Sequence, residues 1–530
     1  MNAVRRAWLL ALPLAAAGCA LPPASQPPGP LRFTVLHTND HHGRAWPNRD
    51  GEHGLAARKT LVDAVRAEVT AAGGHVLLLD AGDVNTGTPE SDLLDAEPDF
   101  RGMTLLGYDA MAVGNHEFDK TPAVLARQRE AWSGFPWLAA NLHRDGRPMF
   151  EPYRVFPLGG GKGGVRVGVL GLTTDETERL GAARRHPGLQ IERPAAAAQR
   201  WLPKLKAEAD VVVVLSHMGH YPDGQHGSAA PGDVELAREV SGIDMIVGGH
   251  SHSLVCMQPD GRRVQQHRPG DDCRPDRQNG TWILQAGDWG RYVGRADFEW
   301  QAGRLELKRY ALLPVNLKGA PGPALAADPQ VDALLQPLAE RGRQGLSVEV
   351  GRAIGFFDGT REAVRSRPTT LGRLVTQAMR EMTGADIGLT SAGGLRDSLR
   401  EGPLQLRDLL QVLPFGNRIV TVEMSGSALQ DYLQQVALKT PGSGAYLQQS
   451  GASYRVEGGV LHELSVNHQP IDASGRYRVV MPSFIAGGGD GYPDLRGHAG
   501  WRDSGWTDVP LLRAYIERRG GVLDAADFAP

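Results

Sequence analysis

The sequence predicts an α/β protein of two domains behind an export leader, and three features carry that reading. Short β-branched apolar runs alternate with helix-like stretches from Leu31 to about Lys318, the pattern of sheets covered by helices. A turn-rich break, Gly319 to Pro323 (G-A-P-G-P), ends that alternation. Beyond about Val348 a second set of helix and strand signals begins. A chain of 530 residues is long enough for more than one core, at about 150 residues per domain.

The leader comes first. Arg5 and Arg6 form a positive start, Trp8 to Ala17 an apolar stretch too short to span a bilayer, and small residues follow, so residues 1–18 read as a signal peptide. Leu14 to Cys19 (L-A-A-A-G-C) is similar to a bacterial lipobox, although Ala16 stands where a branched residue is usual. Lipidation of Cys19 is therefore expected, with plain signal-peptidase cleavage and a soluble product as the alternative. Residues 19–30 are Pro-rich and read as an extended tether. Export puts Cys256 and Cys273 in an oxidising compartment, so the two are expected to form a disulfide. No later run reaches the roughly eighteen apolar residues that a transmembrane helix needs.

The first domain, residues 31–326, is expected to be built on the runs Phe33 to Leu36, Val76 to Leu79, Met111 to Val113, Val165 to Leu170, Val211 to Leu215 and Met245 to Val247. Most are too short and too β-branched for helices. Residues 327–347 read as an interdomain linker helix: Asp328 can cap it, Pro329 suits its first turn, and Val331, Leu334, Leu335 and Leu338 share one face. Pro337 is expected to kink or shorten it. In the second domain, residues 348–530, Leu371, Leu374, Val375, Ala378, Met379 and Met382 trace a helix face, with Thr370 before it and Gly384 as its stop. Strand signals at Ile419 to Glu423 and Tyr477 to Met481 make this a second mixed α/β unit.

Composition excludes two classes of function. With 22% charged and 41% apolar residues the chain is not disordered. Its net charge of -3, without a basic block, argues against a nucleic-acid polymer as partner. The 67 glycines exceed the average usage of about 7%, which suits a protein with many turns and close backbone approaches.

Chemistry enters at the strand ends. Phe33 to Leu36 leads into T-N-D-H-H (Thr38 to His42), Val76 to Leu79 into D-A-G-D (Asp80 to Asp83) and Met111 to Val113 into G-N-H-E (Gly114 to Glu117). Val211 to Leu215 leads into Ser216 and His217, and Met245 to Val247 into G-G-H-S-H (Gly248 to His252). Strand ends of an α/β sheet lie side by side, so these distant motifs can converge. Imidazole, carboxylate and amide oxygen without thiolate suit Zn, Mn, Co or Fe, and a shared carboxylate can bridge two cations. Gly82, Gly114, Gly248 and Gly249 would let backbone come close to such a site.

L-H-T-N-D-H-H-G (Leu36 to Gly43), D-A-G-D, V-G-N-H-E-F-D (Val113 to Asp119), S-H-M-G-H (Ser216 to His220) and G-G-H-S-H resemble the motif set of secreted bacterial 5'-nucleotidases and UDP-sugar hydrolases, within the calcineurin-like metallophosphoesterases. T-S-A-G-G-L-R-D-S (Thr390 to Ser398), P-F-G-N (Pro414 to Asn417) and G-G-G-D-G-Y-P (Gly487 to Pro493) extend the resemblance through the second domain. It implies an N-terminal metallophosphoesterase β-sandwich flanked by helices and a C-terminal mixed α/β nucleotide-binding domain. One divalent cation (Zn, Mn or Co) would be held by Asp40, His42, Asp83 and His252, and a second by Asp83, Asn115, His217 and His250. Some relatives carry Gln in place of His252. His116 would be the catalytic imidazole, oriented by Asp119.

For the second domain the resemblance implies recognition. Arg361, Arg365 and Arg396 would bind phosphate, Phe415 and Phe484 would sandwich the base, Asp490 would accept ribose hydroxyls, and Asn417 would lie near the base. The expected activity is dimetal-dependent hydrolysis of nucleoside 5'-monophosphates, and of UDP-sugars or other nucleotide pyrophosphates, for nucleotide scavenging. Alternatives on the same fold are a 2',3'-cyclic nucleotide phosphodiesterase, an NAD pyrophosphatase and, more remotely, a non-catalytic nucleotide-binding lipoprotein. The expected protein is a periplasmic monomer, anchored to the outer membrane if Cys19 is lipidated, with the linker helix as a hinge between its domains.

Overall fold

A computed structural model describes residues 29–160, 164–179, 186–222, 224 and 230–530. The expected signal peptide and Cys19 lie outside the described residues. No helix among the described residues is long and apolar enough to cross a membrane.

The first domain is a sandwich of two six-stranded sheets. In the first sheet the strands run Arg304–Pro314, Tyr292–Gln301, Leu31–Thr38, His75–Asp80, Ala110–Ala112, Trp137–Leu138 in space. The second runs Asp276–Gln278, Thr281–Leu284, Met245–Gly248, Val211–His217, Val165–Thr173, Tyr153–Leu158. Alternate residues face inward: Val35, Leu77, Leu79, Val167, Val169, Val213, Leu215 and Val247 form the core between the sheets. The intervening residues face helices instead. Leu36 and Leu78 pack with the helices Leu55–Ala71 and Glu97–Leu106, while Leu170, Val212 and Val214 pack with Pro194–Glu208 and Asp233–Glu239. Burial on both faces explains why these strands read as continuous apolar runs rather than as alternation. Each such side chain contributes about 1.5–3 kcal/mol.

Register brings the motifs level. Leu31–Thr38 pairs in parallel with His75–Asp80, so Thr38 lies opposite Asp80, and His75–Asp80 pairs in parallel with Ala110–Ala112. In the other sheet Ser216 lies opposite Gly248, on strands that are again parallel. The segments that leave these five strands therefore start from the same edge of the sandwich.

Helix Pro329–Arg343 begins as expected, with Asp328 Oδ1 accepting the N–H groups of Gln330 and Val331 at 3.0 Å each. It differs from expectation at Pro337, which does not end it: the helix runs on through the proline to Arg343. Val331 and Leu335 are buried in the first domain's core and Trp46 Nε1 donates to the Leu335 carbonyl at 3.3 Å, so packing offsets the missing N–H. The expected linker is thus docked on the first domain.

The second domain centres on a five-stranded sheet in the order Leu447–Ser450, Ile387–Ser391, Arg476–Pro482, Arg418–Ser425, Trp501–Thr507. Leu371, Leu374 and Ala378 of helix Thr370–Thr383 share one core with Leu512 and Ile516 of Asp508–Arg518. Leu429 and Leu433 of helix Gly426–Val436 belong to a second core. The cap of Thr370–Thr383 is Thr369, one residue earlier than expected; its hydroxyl accepts the Gly372 N–H at 3.0 Å. Gly384, at φ 64°, ends the helix. A disulfide joins Cys256 to Cys273, with Cα atoms 4.9 Å apart.

Candidate active site

At the common strand edge the first-domain motifs converge. His42 Nε2 lies 3.1 Å from His252 Nε2, and His252 Nε2 lies 3.2 Å from Asp40 Oδ1. His217 Nε2 is 2.9 Å from Asp83 Oδ2, His42 Nε2 is 3.9 Å from the same oxygen, and His250 Nδ1 is 2.9 Å from Asn115 Oδ1. Asp40, His42 and His252 make one group able to hold a metal ion, and Asp83, His217 and His250 another. All seven expected ligands therefore meet.

Proton positions test whether a cation fits. His42 Nδ1 donates to the Thr86 carbonyl at 2.8 Å, and His252 Nδ1 faces Asp288 Oδ2 at 2.9 Å. Burial, with Arg396 beside His42 and Arg361 beside His252, holds both imidazoles well below the ordinary histidine value, so both are neutral at pH 7. Each then turns an Nε2 lone pair toward the other. Two lone pairs 3.1 Å apart, with a carboxylate beside them, repel unless a cation lies among them. This donor set fits a divalent metal.

The backbone is strained for the purpose. Asp40, His42, Asp83, His250 and His252 have φ of 52°, 50°, 60°, 72° and 56°, left-handed values that cost non-glycine residues about 1 kcal/mol or more each. Glycine is required beside them. A Cβ on Gly114 would stand 2.2 Å from Asp83 Oδ1, and Gly82 has φ 89° with its Cβ position 2.7 Å from Gly114 N.

His116 follows Asn115 at the start of a short 3-10 turn. Its Nδ1 meets Asp119 Oδ2 at 2.6 Å, and its Nε2 stands 4.0 Å from Asp83 Oδ2. Burial lowers its pKa, but Asp119 and Asp83 raise it by more, so the imidazole ends above the ordinary histidine value.

The second domain forms the opposite wall of the cleft. Arg361, Arg365, Arg396, Phe415, Asn417, Phe484 and Asp490 all line it, facing Asp83, Asn115, His116, Asp119, His250 and His252. Arg361 opens one short helical turn, Arg361–Val364, and Arg365 caps its end. Burial, then Arg361 and Arg396, hold the Arg365 guanidinium well below its ordinary value, and its Nε is buried without a hydrogen-bond partner among the described residues. Such a cluster of like charges favours an anion. Phe415 stacks on His116, with ring centres 5.9 Å apart.

Three carboxylates gain roles here, Glu117 of the G-N-H-E motif and two that the sequence did not mark, Asp288 and Glu176. Glu117 accepts N–H groups from Asp83 (3.0 Å), Val84 (2.8 Å) and Gly114 (2.7 Å), tying the D-A-G-D loop to G-N-H-E. Asp288 orients His252, and Glu176 Oε2 lies 3.1 Å from His250 Nε2. Asp288 and Glu176 follow the strands Thr281–Leu284 and Val165–Thr173, so the rule that exposed the other motifs could have exposed these.

A helix-flanked sandwich that gathers imidazoles and carboxylates at parallel strand ends defines a hydrolase of the metallophosphoesterase type. Comparison with known proteins narrows this. A family model described as calcineurin-like phosphoesterase matches residues 33–254, and one described as 5'-nucleotidase, C-terminal domain, matches residues 347–496. Protein UshA of Escherichia coli (strain K12) is 44% identical over 517 residues, covering 94% of this chain and 93% of UshA. A 5'-nucleotidase of Vibrio cholerae is 44% identical, covering 97% of this chain and 95% of its own. The crystal structure of a 5'-nucleotidase precursor from Thermus thermophilus superposes with a TM-score of 0.78 at 30% identity, covering 93% of this chain and 97% of that one. The chain belongs to the calcineurin-like phosphoesterases that carry a 5'-nucleotidase C-terminal domain.

Proposed function

We propose that this protein hydrolyses nucleoside 5'-monophosphates, and nucleotide pyrophosphates such as UDP-sugars, with two divalent cations. The observation that supports this reading is the composition of the cleft: metal-type donors on one wall, and three arginines with two phenylalanines on the other. Asp40, His42, Asp83 and His252 would hold one cation, and Asp83, Asn115, His217 and His250 the second. Bound divalent cations supply Lewis acidity toward phosphoryl oxygens and a nucleophile from water at neutral pH. Protonated His116, held through Nδ1 by Asp119, would donate from Nε2 to a phosphoryl oxygen where negative charge grows. Arg361, Arg365 and Arg396 would hold the remaining phosphate oxygens. Phe415 and Phe484 would flank the base near Asn417, and Asp490 would accept the ribose hydroxyls.

The disulfide between Cys256 and Cys273 and the leader sequence support a periplasmic site of action, with Cys19 as a lipid anchor. Nucleotide scavenging fits that place. The test is a panel of AMP, UDP-glucose, NAD and 2',3'-cyclic AMP, assayed with added Zn, Mn or Co and with chelator. Metal-dependent turnover of AMP and UDP-glucose is expected. Turnover of the cyclic nucleotide or NAD alone would replace this reading with one of the alternatives, and turnover that survives chelation would overturn the dimetal assignment.

A further inference from the structure

The imidazole of His116 is held on three sides, and one of the three belongs to the other domain. Asp119 Oδ2 pins Nδ1 at 2.6 Å and is itself fixed by the Thr86 hydroxyl at 2.8 Å. The ring edge meets His42, centre to centre 5.1 Å at 75°. These contacts fix one nitrogen and one edge, yet they leave the ring free to tilt about the bond to Asp119. Its face rests on Phe415, nearly parallel at 17° with centres 5.9 Å apart. Offset stacking of this kind is directional.

The platform is itself rigid. Gly416, at φ 60°, turns the chain directly after Phe415. The N–H of Asn417 donates to Asp508 Oδ2 at 2.8 Å, and the Asp508 N–H returns to the Asn417 carbonyl at 3.0 Å. The Arg396 guanidinium carbon stands 5.7 Å from the Phe415 ring centre. One half-buried ring thus carries both an imidazole of the first domain and an arginine of the second.

We infer that Phe415 is a positioning residue for the hydrolytic step, holding His116 in the plane from which its Nε2 reaches phosphate, in addition to any contact with a base. This rests on the reading of the cleft as a phosphohydrolase site. It means that the imidazole is fully oriented only while the second domain lies against the first. A tilted ring would lose its aim by a fraction of an ångström to an ångström, a displacement that costs roughly ten- to a hundredfold in rate.

Ribose 5-phosphate, which has no base, separates the two roles of Phe415. Phe415→Leu is expected to lower kcat ten- to a hundredfold on both AMP and ribose 5-phosphate with metal content unchanged, and Phe415→Tyr to restore it. Intact ribose 5-phosphate turnover with only a raised KM for AMP would overturn the inference, because Phe415 would then serve the base alone. A second readout needs no turnover. In protein labelled with ¹³C-histidine the His116 Cε1–H signal, which feels the ring current of Phe415, should shift in Phe415→Leu and return in Phe415→Tyr. An unmoved signal overturns the inference even where neither phosphate is hydrolysed, an outcome that would instead sink the nucleotide reading.

Discussion

The Nε2 atoms of His42 and His252 lie 3.1 Å apart, each with its Nδ1 bound to an acceptor, so two lone pairs face one another. The repulsion is relieved by a cation, and loading therefore stabilises the native state. Saturation at about a hundred times Kd adds about 2.7 kcal/mol, which is several degrees in Tm for a domain of this size. Dialysis against chelator should lower Tm by at least that much, and Zn, Mn or Co should restore it in differential scanning calorimetry. An unchanged Tm with metal content proven to fall would contradict the fit.

His116 lies beside the ligand group without belonging to the expected coordination. His116→Asn should leave the metal content at wild type while turnover falls by about 10²–10⁴. Elemental analysis and steady-state kinetics on one preparation check this. Near-wild-type rates would remove His116 from its proposed role.

Glu117 joins two loops through one carboxylate. Its oxygens accept N–H groups from Asp83, Val84 and Gly114. In Glu117→Gln at least one of these donors would meet an NH₂ group and be left buried and unpaired, at about 1–3 kcal/mol each. Reduced stability in denaturant and weaker metal binding should appear together. A variant that binds metal as wild type would show that the loops hold their places without it.

Much of this arrangement was legible in the sequence because both faces of the central strands are buried. Continuous runs such as Val211 to Leu215 can hardly be anything else, and their parallel pairing makes the polar residue that follows each run a neighbour of the others. The left-handed backbone at Asp40, His42, Asp83, His250 and His252 was not legible. Strain at a non-glycine residue leaves no mark in composition, since the surrounding packing imposes it. Glu176 was hidden for another reason: it follows its strand in T-T-D-E-T without a His or Gly neighbour, whereas Asp288 stands in A-G-D-W-G with Gly neighbours but no His to draw notice to it. The contact of Phe415 with His116 depends on how two domains meet, which no local pattern encodes.

Asp508 sets a pH dependence. Burial pushes its carboxyl up to about 6 from an ordinary 3.8, against the pull of the Asn417 and Val509 N–H groups. A raised folded-state pKa means that the native protein holds this proton where the unfolded chain has lost it. Unfolding free energy therefore falls as pH rises from about 4 to 6 and is flat in this group above that window. Asp508→Asn removes the titration, so the stability of the variant relative to wild type should rise across the window by up to about 3 kcal/mol. Urea unfolding at several pH values measures it, and a difference independent of pH would refute the assignment.

Arg365 shows the conflict between stability and binding most directly. Its guanidinium lies beside Arg361 and Arg396, its Nε is buried with no hydrogen-bond partner among the described residues, and all three arginines line the cleft. Without an anion this charge is a liability. With phosphate bound, it supplies a charge-assisted hydrogen bond worth about 1.5–3 kcal/mol. Arg365→Gln should therefore unfold no more easily than wild type in phosphate-free buffer. The same variant should raise KM for AMP roughly ten- to a hundredfold, as loss of that bond requires. Added inorganic phosphate should stabilise wild type and leave the variant nearly unmoved. If the variant is destabilised without anion and answers phosphate as wild type does, Arg365 serves the fold and the anion belongs to Arg361 and Arg396.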